Sequence, residues 1–172
     1  MMGLKKAVVF DIDNTLIDSR KRFYKSLEIA TNGRSKKTFK ELDEDERRRF
    51  WDIFLNDKFL YLDEPIKEAI NELLERYKDG YHIIILTGRP EKMRDATIKQ
   101  LRRFKIPFHE LYMRPEDDYD PDYIYKPRQL KKIMDRGFKI VEYHEDSPKT
   151  LEVVNEKYPW ISICRHGFGD MF

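Results

Sequence analysis

The chain has 172 residues, enough for one domain or one domain with a modest insertion. Its 34 Lys and Arg nearly balance 32 Asp and Glu for a formal net charge of +2, which excludes the composition of a protein that coats nucleic acid. The 13% of aromatic residues argues against wholesale disorder, and the single cysteine, Cys164, excludes an internal disulfide and a cysteine-built zinc site. No apolar run approaches the roughly 20 residues that cross a bilayer, and the apolar run near the N-terminus is too short for a signal peptide. The expectation is a globular cytoplasmic protein with no membrane and no obligate protein partner.

In chain order, residues 7–10 (Ala-Val-Val-Phe) read as a buried strand. Residues 17–63 follow as a helical insertion, with helices expected over 20–30 and 39–55 and a turn near Asn32-Gly33-Arg34-Ser35. Eight Lys and Arg lie between positions 20 and 40 (20, 21, 22, 25, 34, 36, 37 and 40) against one acid, Glu28. They form either a solvated helix face or a positive collar that draws in a phosphate-bearing substrate. Helix is then expected over 64–78, strand over 82–86, helix over 90–104 and strand over 108–113. An acidic loop covers 116–122, followed by helix over 127–136, strand over 139–143, helix over 148–157 and strand over 160–164. Pro65, Pro90, Pro127 and Pro148 suit first helical turns, and Gly80 and Gly137 suit positions just past helix ends. Alternating strand and helix predicts a parallel sheet covered on both faces, a three-layer α/β Rossmann-like fold.

In such a sheet, ligands bind beyond the carboxyl ends of the strands. The first strand ends in Asp11-Ile12-Asp13-Asn14-Thr15, the second in Thr87-Gly88-Arg89-Pro90 and the third in His144-Glu145-Asp146-Ser147. Asp11, Asp13, Glu145 and Asp146 would therefore gather in one small volume, where like charges require a compensating cation. An oxygen-only set suits a hard ion, most naturally Mg²⁺. Thr87 offers an anion donors, and Lys126 adds positive charge at the expected start of a helix. Metal, carboxylates, hydroxyl and lysine are the parts of phosphoryl transfer.

Asp11-x-Asp13-x-Thr15, Thr87-Gly88-Arg89, Lys126 and Glu145-Asp146 resemble the four ordered motifs of the haloacid dehalogenase (HAD) superfamily of phosphatases. The resemblance implies Asp11 as nucleophile, forming an aspartyl-phosphate, and Asp13 as acid and then base. It implies Thr87 on the transferring phosphoryl group and Lys126 neutralising that group and Asp11. Mg²⁺ would be held by Asp11, the Asp13 carbonyl and an acid of the fourth motif, either Glu145 or Asp146. It also implies a core of residues 1–16 and 64–172, with 17–63 as a small helical cap. A narrower resemblance, to the phosphatase domain of polynucleotide kinase–phosphatases, rests on Thr87-Gly88-Arg89, Asp122 four residues before Lys126, Glu145-Asp146 and the closing Gly169-Asp170-Met171-Phe172. It implies that Gly88, Arg89 and Asp122 support phosphate binding, and that the substrate is a nucleotide or a polynucleotide 3′-phosphate. A small phosphorylated metabolite and a non-catalytic phosphate-binding module remain the alternatives.

Among the remaining residues, Arg89 and Asp122 have blander readings, as the partner of a surface acid and as a plain loop residue. His144 is expected to pack at a strand end and Cys164 to lie in the core of a late strand, while His82 and His166 lack partners at ligand-like spacing. Tyr112, Tyr119, Tyr123 and Tyr125 either stack on a base or cover a core edge.

Overall fold

The computed structural model describes residues 3–33 and 38–169. Strand β1 (Lys5–Phe10) is central to a five-stranded parallel sheet. Its Ala7, Val8, Val9 and Phe10 are fully buried, which is why that run is apolar without alternation. β4 (His82–Pro90) and β5 (Glu110–Arg114) lie on one side of β1, and β6 (Phe138–Glu145) and β7 (Ser162–Arg165) lie on the other. The crossovers therefore run outward from β1 through β4 to β5 and then reverse past β1. That reversal opens a crevice at the carboxyl end of β1, where open α/β sheets take their ligands.

Ala7 and Val9 face one helical layer, and Val8 and Phe10 the other. The first layer is α5 (Asp122–Asp135) and α6 (Pro148–Lys157), through Tyr125, Leu130, Ile133, Leu151 and Val154. The second is α3 (Lys67–Lys78) and α4 (Arg94–Arg103), through Ala69, Ile70, Leu73 and Leu101. Between Ala7 and Val8 the register on β6 jumps from Ile140 to Glu142. This bulge sends the Tyr143 and Glu145 side chains toward α5 and the His144 ring onto Phe10 on the α3 side.

The helical insertion is closed at its base by a short antiparallel ladder, β2 (Ile17–Asp18) on β3 (Glu64–Pro65). Above it, α1 (Arg20–Ala30) and α2 (Glu44–Phe54) share an apolar cluster of Phe23, Leu27, Ala30, Leu42, Phe50 and Phe54, separate from the two sheet faces.

Several expected boundaries move, each for a local reason. The expected helix over 39–55 breaks at Asp43, whose side chain accepts from Glu46 N while its own N–H donates back to Glu46, a capping box. Glu64 and Pro65 pair with β2, so the next helix begins only at Lys67. Pro90 ends β4 instead of opening a helix, and a 3₁₀ turn over Glu91–Met93 precedes α4. Helix α5 begins at Asp122, so Pro127 lies inside it and Lys126 sits in its second turn, away from the N-terminus. A proline there costs about 3 kcal/mol. The same extension buries the Tyr125 ring in the core and seats Lys126 against two carboxylates. Pro148 does open α6, capped by Ser147, and Gly80 and Gly137 do follow helices with φ of +88° and +96°.

Candidate active site

Immediately after β1 the chain turns back on itself. The Ile12 carbonyl accepts from the N–H groups of Thr15, Leu16 and Ile17, and Asn14 adopts a φ of 62°. Asn14 holds that conformation with its amide oxygen, which accepts from Ser19 N at 3.1 Å. The Asp11 N–H donates to the His144 carbonyl at 2.9 Å, so Asp11 continues the ladder and stands beside Glu145 at the crevice.

Lys126 Nζ donates to Asp11 Oδ1 at 2.8 Å and to Glu145 Oε1 at 2.6 Å, with all three side chains buried. Thr15 Oγ1 donates to the other Asp11 oxygen at 3.2 Å. Glu145 is fully occupied: Tyr143 Oη also donates to its Oε1, and the N–H groups of Asp146 and Ser147 donate to its Oε2. Burial would raise Glu145, but Lys126 and these hydrogen bonds hold it down at about 2. Asp11 and Asp146 go the other way. Burial and the Glu145 charge push Asp11 up to about 8, and burial with Asp11 and Glu145 pushes Asp146 up to about 11. Ligand atoms of Asp11, Glu145 and Asp146 lie within 4.8 Å of one another.

This donor set fits a hard divalent cation, because it is all oxygen and carries more negative charge than Lys126 balances. Glu145 takes two protein donors on each oxygen, whereas Asp11 takes one on each, so Asp11 and Asp146 are the carboxylates with capacity left to hold such an ion. Gly167 fits against Asp146: its φ is +98°, and a Cβ there would lie 2.9 Å from the Asp146 Cβ.

Asp13 occupies a different environment. Its Oδ1 accepts from Arg22 Nη2 at 2.5 Å and from Arg89 Nη2 at 2.8 Å, and its Oδ2 accepts from Arg89 Nε at 3.0 Å. Burial alone would raise Asp13, but the two guanidiniums hold its carboxyl well below the usual range. The network continues inward. Arg22 also donates to Asp63 at 3.0 Å and to the Phe54 carbonyl at 2.6 Å, while Arg89 donates to Thr97 and Gln100. Arg89 is thus placed on Asp13 and not toward open space. Arg22 and Asp63 are the residues that sequence reasoning missed, for Arg22 was counted among solvated or collar cations yet its side chain is completely buried.

Among the described residues of that charge run, three more cations are paired. Arg20 pairs with Asp18, Lys21 with Glu64 and Lys25 with Glu28, while Arg34, Lys36 and Lys37 lie outside the described residues. Asp170, Met171 and Phe172 also lie outside them.

A cleft of about 840 Å³ opens over Asp11, Asp13, Thr87, Gly88, Arg89, Asp122 and Asp146. Thr87 is buried at its base, its hydroxyl accepting from Arg89 N at 3.0 Å. Gly88 lies against Asp122, where a Cβ would come 2.8 Å from Oδ1. Asp122 bonds Arg114 and lies 3.6 Å from Lys126 Nζ, so it braces the lysine. Phe39, Trp51 and Phe54 of the insertion form an aromatic wall, and the rim carries Asp52, Glu116, Asp118 and Asp120 beside Arg48, Lys92 and Arg114. Of the four tyrosines named from sequence, only Tyr119 lines the cleft, whereas Tyr125 is a core residue. His144 does pack at its strand end, stacked on Phe10 with centroids 4.0 Å apart. His82 pairs with Glu110 at 2.5 Å, and His166 pairs with His144 at 2.8 Å, both across long sequence separations. Cys164 is partly buried rather than a core residue.

Among the described residues no helix is long and apolar enough to cross a membrane. A Bacillus cereus protein named "Putative nucleotidase" is 25% identical over 158 residues, covering 84% of this chain and 78% of that protein. A chain of the Pnkp1/Rnl/Hen1 RNA repair complex superposes with a TM-score of 0.70 at 20% identity, over 97% of this chain. This chain spans only 44% of that longer one. A haloacid dehalogenase-like hydrolase from Streptococcus pneumoniae gives a TM-score of 0.67 at 17% identity, over 96% of this chain and 87% of that one. These two likenesses are of fold. Residues 2–158 match the family model of the HAD superfamily, subfamily IIIB (acid phosphatase). Nearly the whole sheet and the acids at its switch point fall within that match, and the chain belongs to this family of phosphatases.

Proposed function

We propose that the chain is a Mg²⁺-dependent phosphomonoester hydrolase that works through an aspartyl-phosphate on Asp11, with a nucleotide or a polynucleotide 3′-phosphate as substrate. The observation that carries this reading is the position of Asp11 at the switch point, between Lys126 and Asp146, with a second acid two residues on. In this reading residues 1–16 and 64–172 are the catalytic core, and 17–63 are a cap that covers the cleft. The aromatic wall of Phe39, Trp51 and Phe54 suits a nucleobase.

Asp11 attacks phosphorus, so an Asp11 O–P bond forms as the ester O–P bond breaks. Asp13 gives a proton to the departing alkoxide. Water then attacks the same phosphorus and Asp13 takes its proton, which releases inorganic phosphate and restores Asp11. Mg²⁺, held by Asp11, Asp146 and the Asp13 carbonyl, would supply Lewis-acid neutralisation of the phosphoryl oxygens. Thr87 and Lys126 hold those oxygens, and Lys126 also keeps Asp11 aimed. Arg22 and Arg89 hold Asp13 in the ionised form that takes a proton from water. Protonating the alkoxide requires Arg22 to draw back with α1.

The test is phosphate release, with Mg²⁺ and with EDTA, from a 3′-phosphorylated oligonucleotide, its 5′-phosphorylated twin, mononucleotides and sugar phosphates. Preference for the 3′-phosphorylated oligonucleotide or for nucleotides, abolished by EDTA, is the expected result. On the rim Asp52, Glu116, Asp118 and Asp120 outnumber Arg48, Lys92 and Arg114 by one, a balance that favours a second reading, a small phosphorylated metabolite, over a polyanion. Preference for sugar phosphates would establish that reading and overturn the first.

A further inference from the structure

On the opposite face of β6 from the carboxylate cluster, three ligand-type side chains converge. His144 Nδ1 lies 2.8 Å from His166 Nε2 and 3.6 Å from Glu72 Oε2, and His166 Nε2 lies 3.9 Å from the same Glu72 oxygen. Two donors bound to one tetrahedral zinc ion at about 2.0–2.1 Å stand about 3.3 Å apart. The three separations straddle that value, so movements of a few tenths of an ångström would bring all three donors to bonding distance. We propose that Glu72, His144 and His166 form a second cation site, distinct from the phosphatase centre, that takes a zinc-class transition ion.

The surroundings are those of a ligating histidine. His144 Nε2 lies 3.0 Å from Glu142 Oε1, which is itself pinned by Arg76 through contacts of 3.0 and 3.1 Å. With Nε2 donating to Glu142, the lone pair of a neutral His144 ring is on Nδ1, toward His166 and Glu72. That carboxylate–histidine arrangement fixes the tautomer and raises the basicity of a ligating ring. The ring is also fixed by stacking on Phe10, with centroids 4.0 Å apart. Imidazole and a single carboxylate suit zinc, whereas Mg²⁺ prefers the all-oxygen cluster on the other face.

Access and consequence both follow from position. The Glu72 side chain is 46% exposed and that of His166 15%, so the cluster opens to solvent while His144 stays buried at its base. A competing set, Glu142 with His144 Nε2 and Cys164, also converges. It is disfavoured because Arg76 already holds Glu142 through two hydrogen bonds. Zinc at Glu72, His144 and His166 would tie α3, the end of β6 and the C-terminal segment together. That segment continues into Gly167, which packs against Asp146. Loading would therefore stiffen the wall behind one ligand of the catalytic cation.

The full chain, kept in excess Mg²⁺, would be titrated with Zn²⁺ by calorimetry and with Co²⁺ by visible absorption. One tightly bound zinc and a tetrahedral cobalt spectrum are expected. Losing an outer-shell partner costs about 10–100-fold in metal affinity, so His166→Ala and Glu72→Gln, neither at a fully buried position, should weaken zinc at least that much. Cys164→Ser and Asp146→Asn should leave it bound. The proposal is overturned if the wild type binds no zinc, or if His166→Ala and Glu72→Gln bind it as the wild type does. Loss of zinc with Cys164→Ser would give the site to the competing donors, and loss with Asp146→Asn would give it to the catalytic carboxylates.

Discussion

Arg22 Nη2 on α1 donates to Asp13 Oδ1 at 2.5 Å, joining the inserted helices to an acid of the turn that follows β1. The same guanidinium closes on Asp63, where the chain leaves the insertion, at 3.0 Å. One buried cation therefore ties the entry helix of the insertion, its exit and the site beneath it, so movement of α1 and the state of Asp13 are mechanically linked.

Arg22→Met should destabilise the fold, because it leaves the buried Asp63 carboxylate with one neutral donor, Gln100 Nε2 at 2.9 Å, and a distant Arg89 contact of 3.5 Å. Breaking a buried pair by removing one partner costs about 3–5 kcal/mol, and urea unfolding reads it directly. Asp63→Asn in the same background should restore part of that loss. A loss under about 1 kcal/mol would mean that Arg22 is not committed to this network.

Lys126→Met removes the one cation between Asp11 and Glu145 and should cost a similar amount, about 3–5 kcal/mol. The loss should shrink when Mg²⁺ is added, since a second cation then offsets the carboxylates. Unfolding curves with and without Mg²⁺ would show it. A penalty equal in both conditions would place the ion elsewhere.

Burial and Glu145 raise Asp11 from 3.8 to about 8, and burial with Asp11 and Glu145 raises Asp146 to about 11. The folded chain keeps these protons after the unfolded chain has released them. Their contribution to stability is full below about pH 3.8 and is lost as pH rises through about 8 for Asp11 and about 11 for Asp146. Glu145 has the opposite sign. Held down to about 2 against burial, mainly by Lys126, it contributes fully above 4.5 and loses that only as pH falls through 2. Mg²⁺ binds the deprotonated carboxylates, so the rise in melting temperature it gives should grow between about pH 6 and pH 8. A rise that shrinks over that interval would contradict these shifts.

Gly167→Ala should weaken the metal requirement's geometry more than the fold. Its φ of +98° and a Cβ placed 2.9 Å from Asp146 Cβ and 3.2 Å from the Asn14 carbonyl both oppose the substitution. Strain of this kind costs about 1–3 kcal/mol, and the displaced Asp146 should raise the Mg²⁺ concentration needed for half-maximal turnover. An unchanged Mg²⁺ dependence would separate Gly167 from the site.

Much of this was legible in the sequence, because the signals are local. Each apolar run stops at a polar residue, and Asp11, Thr87 and Glu145 each fall at or just past the end of a run. Arg22 was not legible: its partner Asp63 lies 41 positions away, and a cation within a run of cations gives no sign that it is buried. The pairing of His144 with His166, 22 positions apart, was hidden for the same reason. The Asp43 capping box, by contrast, is a local D-x-x-E pattern that could have been read before the helix was drawn through it. The division of labour between Glu145 and Asp146 needed the hydrogen bonds themselves, since sequence offers two adjacent acids and no way to see which one is already occupied.

The central claim is that Asp11 becomes covalently phosphorylated. Wild-type protein would be mixed with Mg²⁺ and a phosphomonoester that it turns over, quenched in acid within the first turnover, digested and weighed by mass spectrometry. The account predicts one added phosphoryl group on the peptide carrying Asp11, absent from Asp11→Asn and from samples quenched after EDTA. Rapid turnover with no label on Asp11, or turnover that survives Asp11→Asn, would contradict it.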